Sequence, residues 1–212
     1  MTNQTLFGHL ALQFTKSPEN IATEALSYVL GRSTAANAAF ARHLRQTEAM
    51  LPDRLTFQTQ ARKDDDAIPD LVGVNAQNQT VTIGEAKFWA GLTDNQPVGY
   101  LRRLSQSKGT LLFFVAPAKR FPTLWAELLR RCQAARLDAQ PLEGIGQEYY
   151  RAAIGRTQYL ALCSWRSVLH ALHDAAEADS DTQTAADIQQ LEGLCERMDT
   201  TAFLPLQAAE LT

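Results

Sequence analysis

The chain has 212 residues, of which 45% are hydrophobic and 20% charged, so it is a globular protein of one larger domain or one domain with an appendage. The formal net charge of −3 argues against a general basic coat for nucleic acid, although a local basic patch is compatible with it. Because no segment is long and apolar enough to span a bilayer and the N-terminus lacks a signal-peptide pattern, we expect a cytoplasmic protein without membrane contact.

Two helices are expected before the first strand. The stretch 17–30 has Ser17 as a candidate N-cap, Pro18 at the first helical position and an apolar stripe at helical spacing. Its first turns also carry the acidic residue Glu19. A second helix is expected over 37–50, ending before the next proline.

The period of the pattern then changes from helix to strand. Residues 55–60 alternate apolar and polar side chains, which is typical of a half-buried strand. Strands are also expected over 70–74 and 80–88, joined by the polar stretch 75–79, which suits a hairpin loop. The acidic residues 64–66 are expected in a solvated turn between the first and second of these strands. The three strands are therefore expected to form a meander.

Strands and helices alternate in the second half of the chain. A short helix over 96–104 precedes an apolar run over 110–115, which is typical of a central strand buried on both faces. An amphipathic helix over 121–137, a buried strand over 159–163 and a helix over 165–173 follow. This order predicts an α/β fold with a mixed β-sheet, a three-strand meander plus helix-linked strands, flanked by helices.

The C-terminal part is expected to lie outside this core. Residues 174–184 are acidic, polar and weakly patterned, which indicates a linker or an exposed loop. A last amphipathic helix is expected over 187–198. We therefore divide the chain into a domain over 1–173 and a linker with a helical C-terminal extension over 174–212.

Three charged residues lie on the second and third strands of the meander. Asp70 follows a proline at the start of one strand, and Glu85 and Lys87 lie on the next strand. Residues i and i+2 of a strand project from the same face, so Glu85 and Lys87 point together, and the hairpin brings Asp70 beside them. Two carboxylates and an ammonium group at one place suit a Mg²⁺ site for phosphodiester hydrolysis.

The helix, the meander and the following helix and strand, with Pro-Asp and Glu-x-Lys placed in this way, resemble the PD-(D/E)XK nuclease superfamily over residues 17–165. Gln96 and Tyr100 are similar to a Gln-x-x-x-Tyr extension found in some lineages of that superfamily. The resemblance implies a restriction endonuclease-like core and a bacterial, metal-dependent endodeoxyribonuclease, in phage defence or mobile-element biology. It also implies Mg²⁺ as the cofactor, with Mn²⁺ as a substitute.

The resemblance implies a role for each residue of the motif. Asp70 and Glu85 would bind one or two Mg²⁺ ions, with the backbone carbonyl of Ala86 as an additional ligand. Lys87 would position or help to deprotonate the attacking water. Gln96 would orient that water or contact a phosphate.

A carboxylate from the first helix would complete the metal shell. Glu19 lies in line with the apolar stripe, so it is the expected ligand, and Glu24, which falls between the helix faces, is the alternative. An acidic residue in a first helical turn is also explained by the helix dipole alone.

Each of these assignments has a structural alternative. Asp70 could be an ordinary turn acid, and Glu85 with Lys87 could form an ion pair on a solvated strand face. Several basic residues are candidates for phosphate contacts and equally for helix surfaces: Arg102, Arg103, Lys108, Lys119, Arg120, Arg130 and Arg131.

Two functions of different classes therefore stay open. The first is a nuclease, with DNA preferred to RNA as the substrate, although a metal site that contacts only phosphate does not separate the two. The second is a non-catalytic or partner-activated nuclease-fold subunit that binds nucleic acid or protein. The acidic net charge and small size favour a homodimer or a complex with a partner protein.

Overall fold

The computed structural model describes residue 7 and residues 18–59 and 68–201. Its α-helices are α1 (Pro18–Arg32), α2 (Thr34–Leu44), α3 (Val98–Ser107), α4 (Phe121–Ala134), α5 (Trp165–Ala178) and α6 (Thr182–Thr201). Its strands are β1 (Thr56–Thr59), β2 (Leu71–Val74), β3 (Thr80–Ala86), β4 (Leu111–Ala116), β5 (Ala139–Pro141), β6 (Tyr149–Ile154) and β7 (Gln158–Ser164). The candidate N-cap Ser17 and the acidic turn over 64–66 lie outside the described residues.

The strands form one mixed sheet in the order β1-β2-β3-β4-β7-β6-β5. The first three strands are antiparallel neighbours, as expected for the meander. Strands β3, β4 and β7 run parallel, and β6 and β5 add antiparallel strands at the far edge. The predicted mixed sheet flanked by helices is therefore confirmed.

Strand β4 separates two hydrophobic cores. Leu111, Phe113 and Val115 pack into a core with helices α1, α2, α5 and α6, and the alternate residues pack into a second core with α3 and α4. This alternation follows from the two-residue period of a strand. The apolar run predicted here as a central strand is buried at every position.

Helix α2 begins and ends earlier than the expected 37–50. The Oγ atom of Ser33 accepts a hydrogen bond of 3.2 Å from the backbone N–H of Ala36, so the cap lies three residues before that nitrogen. After Leu44 the backbone forms a single 3₁₀ turn, Arg45–Thr47, and Glu48 takes a left-handed conformation. A left-handed residue ends a helix because it turns the next carbonyls away from the axis.

The prediction of a linker over 174–184 is wrong. Helix α5 continues to Ala178, and α6 begins at Thr182, so only three residues separate the two helices. Asp181 caps α6 by accepting a hydrogen bond of 3.0 Å from the Thr184 backbone N–H. Helix α6 is stabilised because its apolar face is buried in the larger core. The polar composition of residues 174–184 does not reveal this burial.

Strands β5 and β6 were not predicted. Strand β6 (Tyr149–Ile154) consists of two tyrosines, an arginine, two alanines and an isoleucine, so apolar and polar residues do not alternate clearly along it. It is held by pairing with β7 on one edge and β5 on the other. No helix of the described residues is long and apolar enough to cross a membrane.

A side chain added at Gly84 of β3 would collide with the neighbouring strand. A Cβ atom built there would lie 2.2 Å from Cζ of Phe113 on the neighbouring strand, well inside van der Waals contact. The Phe113 ring is buried and packs edge-on against Phe40, with 5.7 Å between the ring centroids. The ring therefore has little room to move away.

We predict that Gly84→Ala lowers the free energy of unfolding by about 1–3 kcal/mol, since overpacking a rigid core displaces neighbouring side chains. Urea denaturation monitored by circular dichroism measures this change. The matched control is Gly31→Ala in α1, where no atom lies within 4 Å of an added Cβ and alanine favours the helix by about 0.5–1 kcal/mol. Equal stability of the two variants would contradict the packing argument.

Candidate active site

The β2–β3 hairpin brings Asp70 and Glu85 together, as the sequence predicted. The register pairs Leu71 with Gly84, so Asp70 lies opposite the next residue of β3. Asp70 Oδ2 accepts a hydrogen bond of 2.9 Å from the Ala86 backbone N–H. In return, Glu85 Oε2 accepts a bond of 3.4 Å from the Asp70 backbone N–H. Each carboxylate is thus held by the backbone beside the other.

The loop of this hairpin fixes the register. Asn75 Oδ1 accepts hydrogen bonds from the backbone N–H groups of Gln77, at 3.0 Å, and Gln79, at 2.9 Å. Asn78 has a φ of 58°, a left-handed conformation that asparagine tolerates better than most residues. A slip of one residue would move Glu85 to the opposite face of the sheet, so this turn helps to place the site.

Glu85 and Lys87 form a buried ion pair. Lys87 Nζ lies 3.0 Å from Glu85 Oε1, and each side chain is only 6% exposed. The backbone of Lys87 is also held by strand β4, because its N–H donates to the Val115 carbonyl at 2.8 Å. The alternative of an ion pair on a solvated strand face is therefore excluded.

Gln96 lies beside the same carboxylate. Its Nε2 donates to Glu85 Oε1 at 2.6 Å and to the Tyr100 hydroxyl at 3.4 Å, and its Oε1 accepts from the Thr93 backbone N–H at 3.2 Å. Gln96 and Lys87 therefore contact the same carboxylate oxygen of Glu85. Helix α3 begins only at Val98, so Gln96 belongs to the preceding loop and not to the helix.

The structure distinguishes the two candidate carboxylates of the first helix. Glu19 Oε1 accepts a hydrogen bond of 2.5 Å from the Phe88 backbone N–H, one residue after Lys87. Glu24 is exposed and accepts from Thr59 Oγ1 at 3.1 Å. Glu19 therefore lies next to the cluster, and Glu24 lies against β1.

The cluster has more carboxyl groups than cationic groups. Burial raises the pKa of Asp70 to about 7, the nearby Glu85 carboxylate adds to this rise, and Glu19 contributes further. Burial also raises the pKa of Glu85, against the opposing effect of Lys87. Three carboxyl groups thus face two cations, Lys87 and, on the Glu19 side, Arg120. A further cation would favour the charged forms of Asp70 and Glu85.

The donor set fits a hard divalent cation that keeps much of its water. Among the described residues, no three His, Cys, Asp or Glu side chains are grouped closely enough to hold a metal ion by themselves. Mg²⁺ commonly takes one or two protein carboxylates and completes its shell with water. Asp70 and Glu85 can supply those two carboxylates. The additional ligands Glu19 and the Ala86 carbonyl stay predictions.

An arginine of α4 holds the loop that carries Gln96. The Arg131 guanidinium donates to the carbonyls of Leu92 at 3.2 Å, Thr93 at 2.5 Å and Gln96 at 3.0 Å. Its Nε pairs with Glu127 Oε1 at 2.7 Å. One side chain thus satisfies three loop carbonyls, which is possible because a guanidinium has five N–H groups in a fixed plane.

A second arginine holds the residues that follow Lys87. Arg120 donates to the Phe88 carbonyl at 3.0 Å and to the Ala90 carbonyl at 2.8 Å. Its guanidinium also lies over the Trp89 ring, 6.0 Å from the centroid. Trp89 is tied in turn to α6, because its Nε1 donates to the Met198 carbonyl at 3.1 Å.

Four of the residues considered for phosphate contacts bind other residues of this chain. Arg120 and Arg131 bind loop carbonyls, Arg130 pairs with Glu127 at 2.7 Å, and Lys119 pairs with Asp199 at 3.2 Å. Sequence analysis missed the loop-holding role of the two arginines. The contacts span 30 residues or more, and no local pattern signals them.

Comparison of the chain with family models, with curated proteins and with solved structures found no match.

We predict that Arg131→Ala lowers the free energy of unfolding by about 1–3 kcal/mol, because it leaves the loop carbonyls without their donor. Arg131→Lys is expected to recover only part of this loss, since one ammonium group cannot span three carbonyls. Guanidinium chloride titration followed by tryptophan fluorescence gives the values.

Arg130→Ala is the matched control, because Arg130 shares Glu127 but is 65% exposed and contacts no loop carbonyl in the described part of the chain. Its effect is expected to stay below about 0.5 kcal/mol. A loss as large in Arg130→Ala as in Arg131→Ala would show that the Glu127 pairing, and not the loop contacts, is responsible.

Proposed function

We propose that this protein is a Mg²⁺-dependent nuclease of the PD-(D/E)XK type that hydrolyses phosphodiester bonds of DNA. The observation that carries the proposal is the buried cluster in which Asp70, Lys87 and Gln96 all surround Glu85. Burial of two carboxylates beside one lysine is costly for a protein that needs only stability. Perturbed and buried ionisable groups of this kind are typical of catalytic sites.

The residues of the cluster have distinct tasks in this proposal. Asp70 and Glu85 bind the metal, which when bound supplies a water of lowered pKa and neutralises phosphate charge. Lys87 holds the attacking water and offsets the negative charge that develops on the phosphate oxygens. Gln96 orients Glu85 or the water, and Glu19 supports the metal side of the cluster from α1.

The alternative is a non-catalytic or partner-activated subunit of the same fold. It is favoured by one observation: Glu85 Oε1 already accepts from Gln96 at 2.6 Å and pairs with Lys87 at 3.0 Å. A metal bound to this oxygen would have to share it with these partners or displace one of them, whereas Oε2 accepts only the 3.4 Å hydrogen bond from Asp70. A partner protein or nucleic acid that shifts the loop carrying Gln96 would free it.

The superfamily resemblance favours DNA over RNA as the substrate. The proposed role in phage defence or mobile-element biology rests on the same resemblance. Unneutralised basic residues near the site include Arg102 and Arg103 on α3, for which the described contacts show no ion pair. They follow Tyr100 on α3 and, with Lys108 at the end of that helix, are the candidates left for phosphate contacts.

We predict metal-dependent cleavage of a panel of plasmid, linear duplex, single-stranded and branched DNA, and RNA, by the purified protein with Mg²⁺ or Mn²⁺. Lys87→Gln and Asp70→Asn are each expected to reduce the rate by at least about 100-fold, because each removes a group that acts on the water or the metal. Gel electrophoresis of the products, with an EDTA control, measures the rate and identifies the substrate class.

Glu24→Gln, on the same helix as Glu19 but away from the cluster, is expected to leave the rate unchanged. Thermal melting shows that each variant is folded. Cleavage that persists in the triple variant Asp70→Ala, Glu85→Ala, Lys87→Ala would sink the nuclease proposal. A folded wild type that cuts none of the panel would favour the partner-activated subunit.

We also predict that the wild type binds Mn²⁺, measured by the loss of the free-ion signal in electron paramagnetic resonance. Glu19→Gln is expected to weaken this binding about 10–100-fold, the range for residues that support metal ligands, and Asp70→Asn at least as much. Glu24→Gln is the matched control and should bind as the wild type does. Equal binding by the Glu19 and Glu24 variants would remove Glu19 from the site.

A further inference from the structure

The two oxygens of the Glu85 carboxylate have different surroundings. Oε1 accepts a hydrogen bond of 2.6 Å from Gln96 Nε2 and lies 3.0 Å from Lys87 Nζ. In the described part of the chain, Oε2 accepts one hydrogen bond, of 3.4 Å, from the Asp70 backbone N–H. The side chain is therefore fixed through Oε1, and Oε2 is the oxygen beside Asp70 that a metal ion can take.

Gln96 is itself held by a turn over residues 92–96. Its Oε1 accepts from the Thr93 backbone N–H at 3.2 Å, and its backbone N–H donates to the Thr93 carbonyl at 3.1 Å. Gln96 is 2% exposed, so water cannot replace these partners. Residues 88–96 belong to no helix or strand, and the position of the turn therefore depends on contacts from elsewhere in the fold.

Arg131 of α4 supplies those contacts. Its Nη1 donates to the carbonyls of Thr93 and Gln96, and its Nη2 donates to the carbonyl of Leu92. All three bonds are made to the backbone of the turn, whereas the Gln96 amide reaches Glu85 with its side chain. The turn thus connects a guanidinium on α4 with the carboxylate in the sheet.

Glu127 orients the guanidinium and gives Arg131 a matched neighbour. Arg131 Nε donates to Glu127 Oε1 at 2.7 Å, and Arg130 Nε donates to Oε2 of the same carboxylate at 2.7 Å. The side chain of Arg131 is 25% exposed and that of Arg130 is 65% exposed. The two arginines share one acid, but among the described residues only Arg131 binds the turn.

We propose that Arg131 is a positioning residue of the candidate active site and acts through Gln96. Its hold on the turn keeps the Gln96 amide on Oε1 of Glu85, which fixes Oε2 on the side of Asp70. Residues that orient a ligating side chain typically change metal affinity by about 10–100-fold. The inference rests on the proposed function, because that proposal assigns the metal to Asp70 and Glu85.

The first test needs neither metal nor nucleic acid. In ¹H–¹⁵N NMR spectra of the purified full chain, we expect the Gln96 side-chain amide to lie downfield of other glutamine amides and to exchange slowly with water. It donates to a carboxylate and is buried. Gln96→Glu removes this signal and so assigns it.

Two arginine variants are then compared by the same signal. Arg131→Met keeps much of the aliphatic stem but has no donor, so we expect the Gln96 signal to move to the range of exposed glutamines and to exchange rapidly. Arg130→Met is the matched control and should leave the signal unchanged. Thermal melting shows that each variant is folded.

The second test is a double-mutant cycle on Mn²⁺ affinity, measured by electron paramagnetic resonance. Gln96→Ala and Arg131→Met are each expected to weaken binding about tenfold. The double variant is expected to bind no more weakly than Gln96→Ala alone, because Arg131 acts on the metal only through Gln96. A general structural role would give losses that multiply. Arg130→Met should bind as the wild type does.

The proposal is overturned if the Gln96 signal keeps its position in Arg131→Met, or if the two losses of Mn²⁺ affinity multiply. If Arg131→Met does not fold, Arg131→Lys decides instead, since one ammonium group cannot span three carbonyls, and a wild-type Gln96 signal in that variant overturns the proposal.

Failure of the proposed function has a different signature. A wild type that binds no Mn²⁺ overturns the metal site, whereas loss of the Gln96 signal in Arg131→Met of that same protein still supports the positioning of Glu85 by Arg131.

Discussion

A carboxylate inside the sheet, that of Glu85, determines the arrangement around it. Strand β3 has a neighbour on both edges, so Glu85 is 6% exposed and cannot rely on water for its charge. An uncompensated charge in such a place costs several kcal/mol. The ammonium of Lys87, the amide of Gln96 and the backbone N–H of Asp70 supply the compensation, and each therefore has to be held in place by other elements.

The segment between β3 and α3 shows how that requirement spreads through the fold. Residues 88–96 have no ladder hydrogen bonds of their own, yet they carry Gln96 to Glu85. Arg120 and Arg131 replace the missing ladder by donating to carbonyls along the segment. Both arginines lie in the stretch after β4, so the parallel pair β3–β4 and its connecting elements build the site together.

The sequence was informative where the chemistry is local. The polar hairpin loop between β2 and β3 predicted that Asp70 lies beside Glu85, and the i, i+2 rule predicted Lys87 on the same side, which the structure confirms. The choice of Glu19 over Glu24 also followed from helix periodicity, and the contact of Glu19 with Phe88 agrees with it.

The remaining features depend on contacts that are distant in sequence. Strand β6 is stabilised by its two neighbours and not by its own alternation, so its residues gave no strand signal. The stretch 174–184 is polar, but it continues two helices whose apolar faces are buried in the larger core. The arginines that bind loop carbonyls have no characteristic spacing, because their partners are 30 or more residues away.

The hydrogen bond from Trp89 Nε1 to the Met198 carbonyl has a consequence for the order in which the molecule is assembled. Its two residues are 109 positions apart, so the contact cannot form until the last helix has been synthesised and has docked. The carboxylate pair on the hairpin is made from nearby residues and can form first. The segment beside it is completed last, and the chain on the ribosome therefore carries an unfinished site until its final helix is in place.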